Sequence, residues 1–541
     1  MGLPLSLDQC GEVLHLEQGK MNEGRALIRY FSKPDVHTGK RHVPSDSPER
    51  WNVYKAYNKR DVEVEQAILK RVELLEAAPF DDALYLADQE INDRGVLIDL
   101  QLAKNAARMD ANYKAHLLQE AQQLTGLDNP NSPSQIKSWL HNLTGFSITT
   151  LNKKSLEDLE DSLSNWPKAK RLLKLRKEIG KTSNKKYAAM LECVCSDQRI
   201  HGLLQFCGAA RTGRWAGRLV QVQNLPQNHI SDIDFARRLV RSGQLGEVEM
   251  YYDNVTQTLS ELIRTAFIAK EGCIFHVCDF SAIEARVIAW LAGENWVIDV
   301  FRNNGDIYCA TASKMFGVPV EKHGLNAELR PKGKVSVLAL GYGGGINALE
   351  AMGGLRLGLT VEEMKETVKL WRRSNRHIVE LWDIIERAAI SAIKTGDDKY
   401  INHNIRVWYK WGMLLITLPS GRTICYPRAA VSTELGTNRE GIEYEGIDQT
   451  TKQWGRIRTY GGKLTENIVQ ATARDILGTV ILRAKKENLP IVFHVHDEII
   501  VECPEDRPLS DVEALFDDPI DWCRSLPLKG AGYSTKYYIK D

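Results

Sequence analysis

A chain of 541 residues with 43% hydrophobic content is long enough for three or four domains with real cores, which excludes a disordered tail or a minimal binding module. Its 71 basic and 70 acidic residues leave a formal charge of only +1, so any polyanion-binding surface must arise from local clustering of basic side chains. No apolar run approaches 18 residues, no charged and then apolar leader opens the chain, and among ten cysteines only Cys193 and Cys195 lie close together, so no membrane span, secretion or zinc site is expected and the reading is a reduced, cytoplasmic protein.

In chain order, residues 1–80 read as a small N-terminal piece, interrupted by the polar stretch Val43-Pro44-Ser45-Asp46-Ser47-Pro48 and continued by a helix from about Trp51 to Ala77. Helical patterns at 102–124 and 135–143 flank a loop at Asp128-Asn129-Pro130-Asn131-Ser132-Pro133, and residues 85–200 are mostly helical. Within them Lys170, Lys174, Lys177 and Lys181 repeat at helical spacing while Leu172, Leu175 and Ile179 occupy another face, a stripe suited to tracking phosphates.

The run Ile274-Phe275-His276-Val277-Cys278-Asp279-Phe280 reads as a buried strand ending in an acid, and the apolar positions 283, 287, 290 and 291 that follow have helical spacing. Ser281-x-x-Glu284 also fits a capping box at the start of that helix. Further on, Arg330, Lys334, Leu338 and Tyr342 fall four apart, so one helix displays them on one face, with Pro331 tolerated only in its first turn and Gly343-Gly344-Gly345 marking its end.

Near the C-terminus, Ile491-Val492-Phe493-His494-Val495 and Ile499-Ile500-Val501 read as a hairpin with His496, Asp497 and Glu498 at its tip. That tip lacks the glycine a two-residue loop favours, and broken local rules of this kind mark functional sites. Asp279 and Asp497, both at strand ends, form a site for divalent cations if one sheet brings them together, because neither carboxylate stays ionised beside the other without positive charge between them. Two magnesium ions about 4 Å apart serve in-line phosphoryl transfer, and a cationic helix face opposite suits a triphosphate.

These segments resemble the polymerase domain of family A DNA polymerases, particularly the bacteriophage members. Asp279-Phe280-Ser281-Ala282-Ile283-Glu284-Ala285-Arg286 is similar to the first palm motif, Arg330 to Tyr342-Gly343 to the fingers helix, and His496-Asp497-Glu498 to the last palm motif. Arg211-Thr212-Gly213-Arg214-Trp215, followed by Gln223-Asn224-Leu225-Pro226, resembles the template-primer contact region.

The resemblance implies an α+β, multidomain right hand: an antiparallel palm sheet at 201–294 and 400–541, a helical thumb at 81–200 and helical fingers at 295–399. It implies two Mg2+ ions held by Asp279, Asp497 and the Phe280 backbone carbonyl, with Glu498 nearby. Arg330 and Lys334 would take the triphosphate of the incoming dNTP, Leu338 and Tyr342 would flank the nascent base pair, and Glu284 would exclude a 2′-hydroxyl. Arg214, Gln223, Asn224, Gln470 and His496, with Lys181 on the basic stripe, would contact primer-template DNA. Against the commonest family pattern, Leu338 replaces Phe or Tyr, Ala282 replaces Gln, Ala285 replaces Leu, Gln221 replaces Asn and Tyr308 replaces His.

Residues 1–80 resemble the C-terminal remnant of an RNase H-like 3′–5′ exonuclease domain, with Tyr57 orienting water and Asp61 binding metal. One aspartate cannot hold a metal pair, so no proofreading is expected from this chain alone: either the gene is split or shortened, or a separate polypeptide supplies the missing half. The expected function is template-directed DNA synthesis in phage or prophage replication within a bacterial host cell. The alternatives are a single-subunit RNA polymerase, against which Glu284 argues, and a silent DNA-binding remnant, against which the presence of Asp279, Asp497, Arg330 and Lys334 argues.

Overall fold

The computed structural model describes residues 2–540 apart from 5, 18, 22, 36, 74–77 and 434–439. At its centre is a four-stranded antiparallel sheet in the order Ile491–Val495, Glu498–Pro504, Cys273–Phe280, Gly530–Thr535. The register pairs Glu498 with Asp279 and Val501 with His276 on one side of the middle strand, and Ala531 with Asp279 on the other. All five residues of Ile491–Val495 are buried, which explains a continuous apolar run in place of an alternating one. The helices Pro79–Arg94 and Ser510–Asp517 pack on this sheet.

The helix Gly461–Lys486 is the axis of the molecule, with most of its residues buried. It packs against Ile283–Ala292, Arg376–Thr395 and Pro79–Arg94. Its buried polar residues form a specific network. Arg422 donates to Asp475 at 2.8 Å, and Arg474 donates to Asp475 at 3.1 Å and to Asp81 at 2.7 Å. Each buried charge is therefore paired, as burial demands.

The segment 100–193 is helical and carries its own apolar cluster, built on Leu117, Ile136, Leu140, Leu172, Leu173 and Leu175. Helix Pro167–Ile179 turns those leucines inward and leaves the lysine face outward. Lys181 lies beyond the end of that helix, after Gly180, so the basic stripe is helical only as far as Lys177. Helices Asn295–Arg302 to Arg376–Thr395 form a second helical body, in which Arg330–Leu340 packs on Ile307–Phe316 and Val361–Ser374. Gly333 permits that approach, since a Cβ there would lie 2.2 Å from the Tyr308 carbonyl oxygen.

Two further antiparallel sheets occupy 399–459, one of four strands from Lys399 to Pro427 and one of three from Ala430 to Thr459. Within residues 1–80 the described residues form helices and no strand, so the sheet of an RNase H-like domain is not represented among them. The helix expected over 51–77 runs Pro48–Val72, and its expected end at 74–77 lies outside the described residues. No helix among the described residues is long and apolar enough to cross a membrane.

Candidate active site

The hairpin tip consists of His496 and Asp497, because Val495 pairs with Glu498. His496 adopts φ 52°, in the left-handed region that is costly without glycine. A side chain from another segment holds it there. Gln223 accepts from the His496 amide at 2.8 Å and donates to the His494 carbonyl at 3.1 Å, bracing both sides of the turn. Trp215 packs edge-on against the His494 ring, 4.6 Å between centroids, which ties the Arg211–Trp215 loop to the same hairpin.

The turn lies against the end of the middle strand. The Phe280 amide donates to the Asp497 carbonyl at 3.2 Å, and Glu498 is register-paired with Asp279, so Asp279 and Asp497 end on adjacent strands of one sheet. Burial raises all three carboxyls above their ordinary values. Lys540 partly offsets this: its ammonium is 3.2 Å from Glu498 and 3.9 Å from Asp279. Burial works against the charged lysine, but Glu498, Asp497 and Asp279 outweigh it and its pKa is raised.

Hard carboxylate oxygens partly withdrawn from water and short of positive charge are a donor set that fits magnesium. Glu498 does not complete a ligand trio in this arrangement. Its two oxygens accept from the Tyr538 hydroxyl at 2.5 Å and from Lys540. Among the described residues, no three His, Cys, Asp or Glu side chains converge as a preformed metal cage. Asp279 and Asp497 are the carboxylates here that could hold a metal.

Glu284 does not close a capping box. The helix Ile283–Ala292 is preceded by Ala282 at φ 52° with no side-chain cap, and Glu284 points elsewhere. One of its oxygens is 3.0 Å from the Arg214 guanidinium and the other accepts from the Tyr342 hydroxyl at 2.9 Å. These three residues, with Leu338, His496 and Asp497, line a cavity of about 420 Å³. Arg214 is positioned from behind, since Arg422 donates to the Thr212 carbonyl at 2.9 Å and Arg474 to the Gly213 carbonyl at 3.1 Å. Gly213 sits at φ 72°, and a Cβ there would meet Arg422 at 2.7 Å.

The helix Arg330–Leu340 places Lys334 and Leu338 on an exposed face, while Tyr342 lies past its end instead of on the same helical stripe. Arg330 is held by Asp306, which accepts from its Nε at 2.9 Å and its Nη2 at 2.7 Å. The other Asp306 oxygen caps helix Ile307–Phe316 through the Tyr308 and Cys309 amides. Burial raises Asp306, but the two amides and Arg330 hold it below its ordinary value. Asp306 and Lys540 are the participants that sequence reasoning missed. An aspartate before a helix start signals a cap, but nothing in Tyr537-Tyr538-Ile539-Lys540 signals a return to the active site.

Among the DNA-contact candidates, Asn224 is exposed on a 3-10 turn and Gln470 is half-buried on the axial helix. Lys181 lines a separate cleft of about 990 Å³ between the helical segment 131–183 and residues 226–260, where its ammonium donates to Gln257. Tyr57 and Asp61 are not brought to either place. The Lys20 ammonium stands 3.5 Å from Asp61 and above the Tyr57 ring, whose buried face leaves no room for a side chain at Gly24.

A family model for DNA polymerase family A matches residues 101–398. The chain is 48% identical to the DNA polymerase of Bacillus phage SP02 across its full length and 84% of that protein. It is 27% identical to the thermostable DNA polymerase I of Thermus thermophilus, over 54% of this chain and 31% of that enzyme. The POL domain of Pol1 from M. smegmatis, solved in complex with DNA primer-template and dNTP, matches with a TM-score of 0.58 at 19% identity, over 96% of this chain and 79% of that one.

Proposed function

The chain belongs to DNA polymerase family A, and from that premise we propose that it is a DNA-directed DNA polymerase extending a primer 3′-hydroxyl with deoxynucleotides in phage or prophage replication. The observation that carries the chemistry is the convergence of Asp279 and Asp497 at the ends of neighbouring strands, with both carboxyls raised by burial. We place the palm at 201–294 and 400–541, the thumb at 81–200 and the fingers at 295–399.

Asp279, Asp497 and the Phe280 carbonyl would hold two Mg2+ ions, whose chemistry is to favour the 3′-alkoxide and to neutralise charge on the phosphates. Arg330 and Lys334 bind the outer phosphates. Arg330 presents a planar fork and Lys334 a point charge, and engaging phosphate requires Arg330 to share or leave Asp306. Lys334 can also stabilise the departing pyrophosphate. Leu338 and Tyr342 enclose the base pair, while Arg214 and Tyr342 hold the Glu284 carboxylate against the sugar, where it leaves a 2′-hydroxyl no space. Gln223 keeps the His496–Asp497 turn in place, and the Arg176–Lys181 side of the wide cleft follows primer-template phosphates together with Asn224, Gln470 and His496.

Tyr57 and Asp61 are read as an exonuclease-like helix whose carboxylate is paired with Lys20, and excision of mismatched primer ends is assigned to a separate polypeptide. Primer extension by Asp279→Asn and Asp497→Asn tests the main reading. Each should lose magnesium-dependent extension by about 10³-fold or more while binding primer-template with unchanged affinity, and retained extension by either would refute the metal assignment.

A further inference from the structure

The chain does not end at the central sheet. After strand Gly530–Thr535 it runs back across the palm and is pinned at several points. Tyr537 bridges to Ile268, and the Tyr538 amide donates to the Phe267 carbonyl at 2.9 Å. The Tyr538 ring is buried between the Arg264 guanidinium, which donates to its hydroxyl at 2.5 Å, and Glu498, which accepts from that hydroxyl. Tyr533 donates to the Ile539 carbonyl, and the Lys540 amide donates to Asn228 at 3.1 Å. Anchored on both backbone and side chain, this tail delivers the Lys540 ammonium to Glu498 and Asp279, with only 23% of the side chain exposed.

An exposed tail lysine would lose too much rotamer freedom to be held this way by a single surface pair. Here the preceding residues have already fixed its path, so the side chain alone remains to be ordered. Its charge then lies among carboxylates that the proposed metal ions also require. Two cations that share the same oxygen ligands compete, and each weakens the binding of the other.

We infer that Lys540 is a built-in counter-ion to the metal-binding carboxylates, competing with the divalent ions and moving off Asp279 as they bind. This rests on the proposed metal role of Asp279 and Asp497. The tail thereby senses metal loading and sets the divalent-ion concentration at which the site fills. Glu498 has a part in this role: it need not ligate metal, because it serves as the resting partner of Lys540 through one oxygen and is fixed by Tyr538 through the other.

Binding of Mn2+ to the full chain at pH 8, followed by the EPR signal of free ion, tests the inference without reference to catalysis. Lys540→Gln keeps a polar donor but removes the charge, and should lower the Mn2+ dissociation constant about fivefold or more; Lys540→Arg should stay near the parent value. An unchanged or weaker affinity in Lys540→Gln would overturn the competition. Should that variant not fold, the parent protein decides the matter: acetylation of Lys540, read by mass spectrometry, should accelerate at saturating Mn2+, and an unchanged or slower rate refutes displacement. Asp279→Asn separates the two levels of the account. If it loses Mn2+ affinity while Lys540→Gln leaves it unchanged, only the lysine inference fails; if it too binds Mn2+ as the parent does, the metal site itself fails.

Discussion

Two regions of this molecule set a lysine against an aspartate, and they differ in how much negative charge is left over. In the N-terminal piece Asp61 meets Lys20 one to one, at 3.5 Å. In the central sheet a single lysine, Lys540, faces three acids, Asp279, Asp497 and Glu498, and burial has already raised the pKa of each. A balanced pair is a structural feature, while an acidic excess withdrawn from water is a demand for cations. The same residue types therefore support opposite readings, and the count of neighbouring charges separates them.

The largest expected effect comes from breaking the excess at the palm. Asp497→Asn should reduce extension about 10³-fold and also stabilise the metal-free protein. The sign follows from the raised carboxyl values: the folded state holds these protons more tightly than the unfolded chain, so metal-free stability falls as pH rises from the ordinary carboxylate range through the elevated folded values. At pH 7 to 8 in EDTA the neutral Asn should accordingly raise the melting temperature, and a lowered one would show that burial of the charged Asp497 carboxylate does not destabilise the fold.

Smaller effects come from groups that serve the site without holding metal. Arg330→Ala should raise KM for the incoming nucleotide by about 10- to 100-fold, the loss expected for a residue proposed to fork onto the triphosphate. Glu284→Ala should lower discrimination against ribonucleotides by about 10- to 100-fold, read from the ratio of kcat/KM values for ribo- and deoxynucleotides. The smallest effect is expected at the balanced pair. Asp61→Asn should leave extension unchanged and cost no more than about 1 kcal/mol of stability in a denaturant titration. A loss of extension there would join the two regions functionally.

The strand Cys273–Phe280, the terminal hairpin and the helix at 330 were legible because apolar period and turn chemistry are local properties. So was the oddity of His496, which pointed to a turn held by something beyond its own residues. What holds it is the Gln223 amide, a bridge over some 270 residues that leaves no mark in either segment. Glu284 illustrates a local signal outcompeted: its capping-box spacing is real, but a buried tyrosine hydroxyl and a guanidinium offer it stronger partners than a backbone amide. Tyr342 was drawn on the helix by its fourfold spacing, yet Gly341 ends the helix one residue earlier.

The strands of 399–459 are hard to read from sequence, although their turn is local. Trp411-Gly412 forms a two-residue loop with both residues at positive φ, between paired strands whose residues alternate in burial only in part. A tryptophan in place of the usual Asn or Asp hides that turn from a reading based on turn residues. Lys540 was invisible for a different reason, since its role depends on a tail whose anchors, Arg264, Asn228 and Phe267, are all supplied by distant segments.

The most direct measurement is the anomalous scattering of Mn2+ in crystals of the full chain with primer-template and an incoming deoxynucleotide. The expected result is two peaks between Asp279 and Asp497, with no peak at Asp61. Peaks remote from those two aspartates, or a site at Asp61 instead, would contradict the reading that excess buried negative charge, and not the aspartate alone, makes the metal centre.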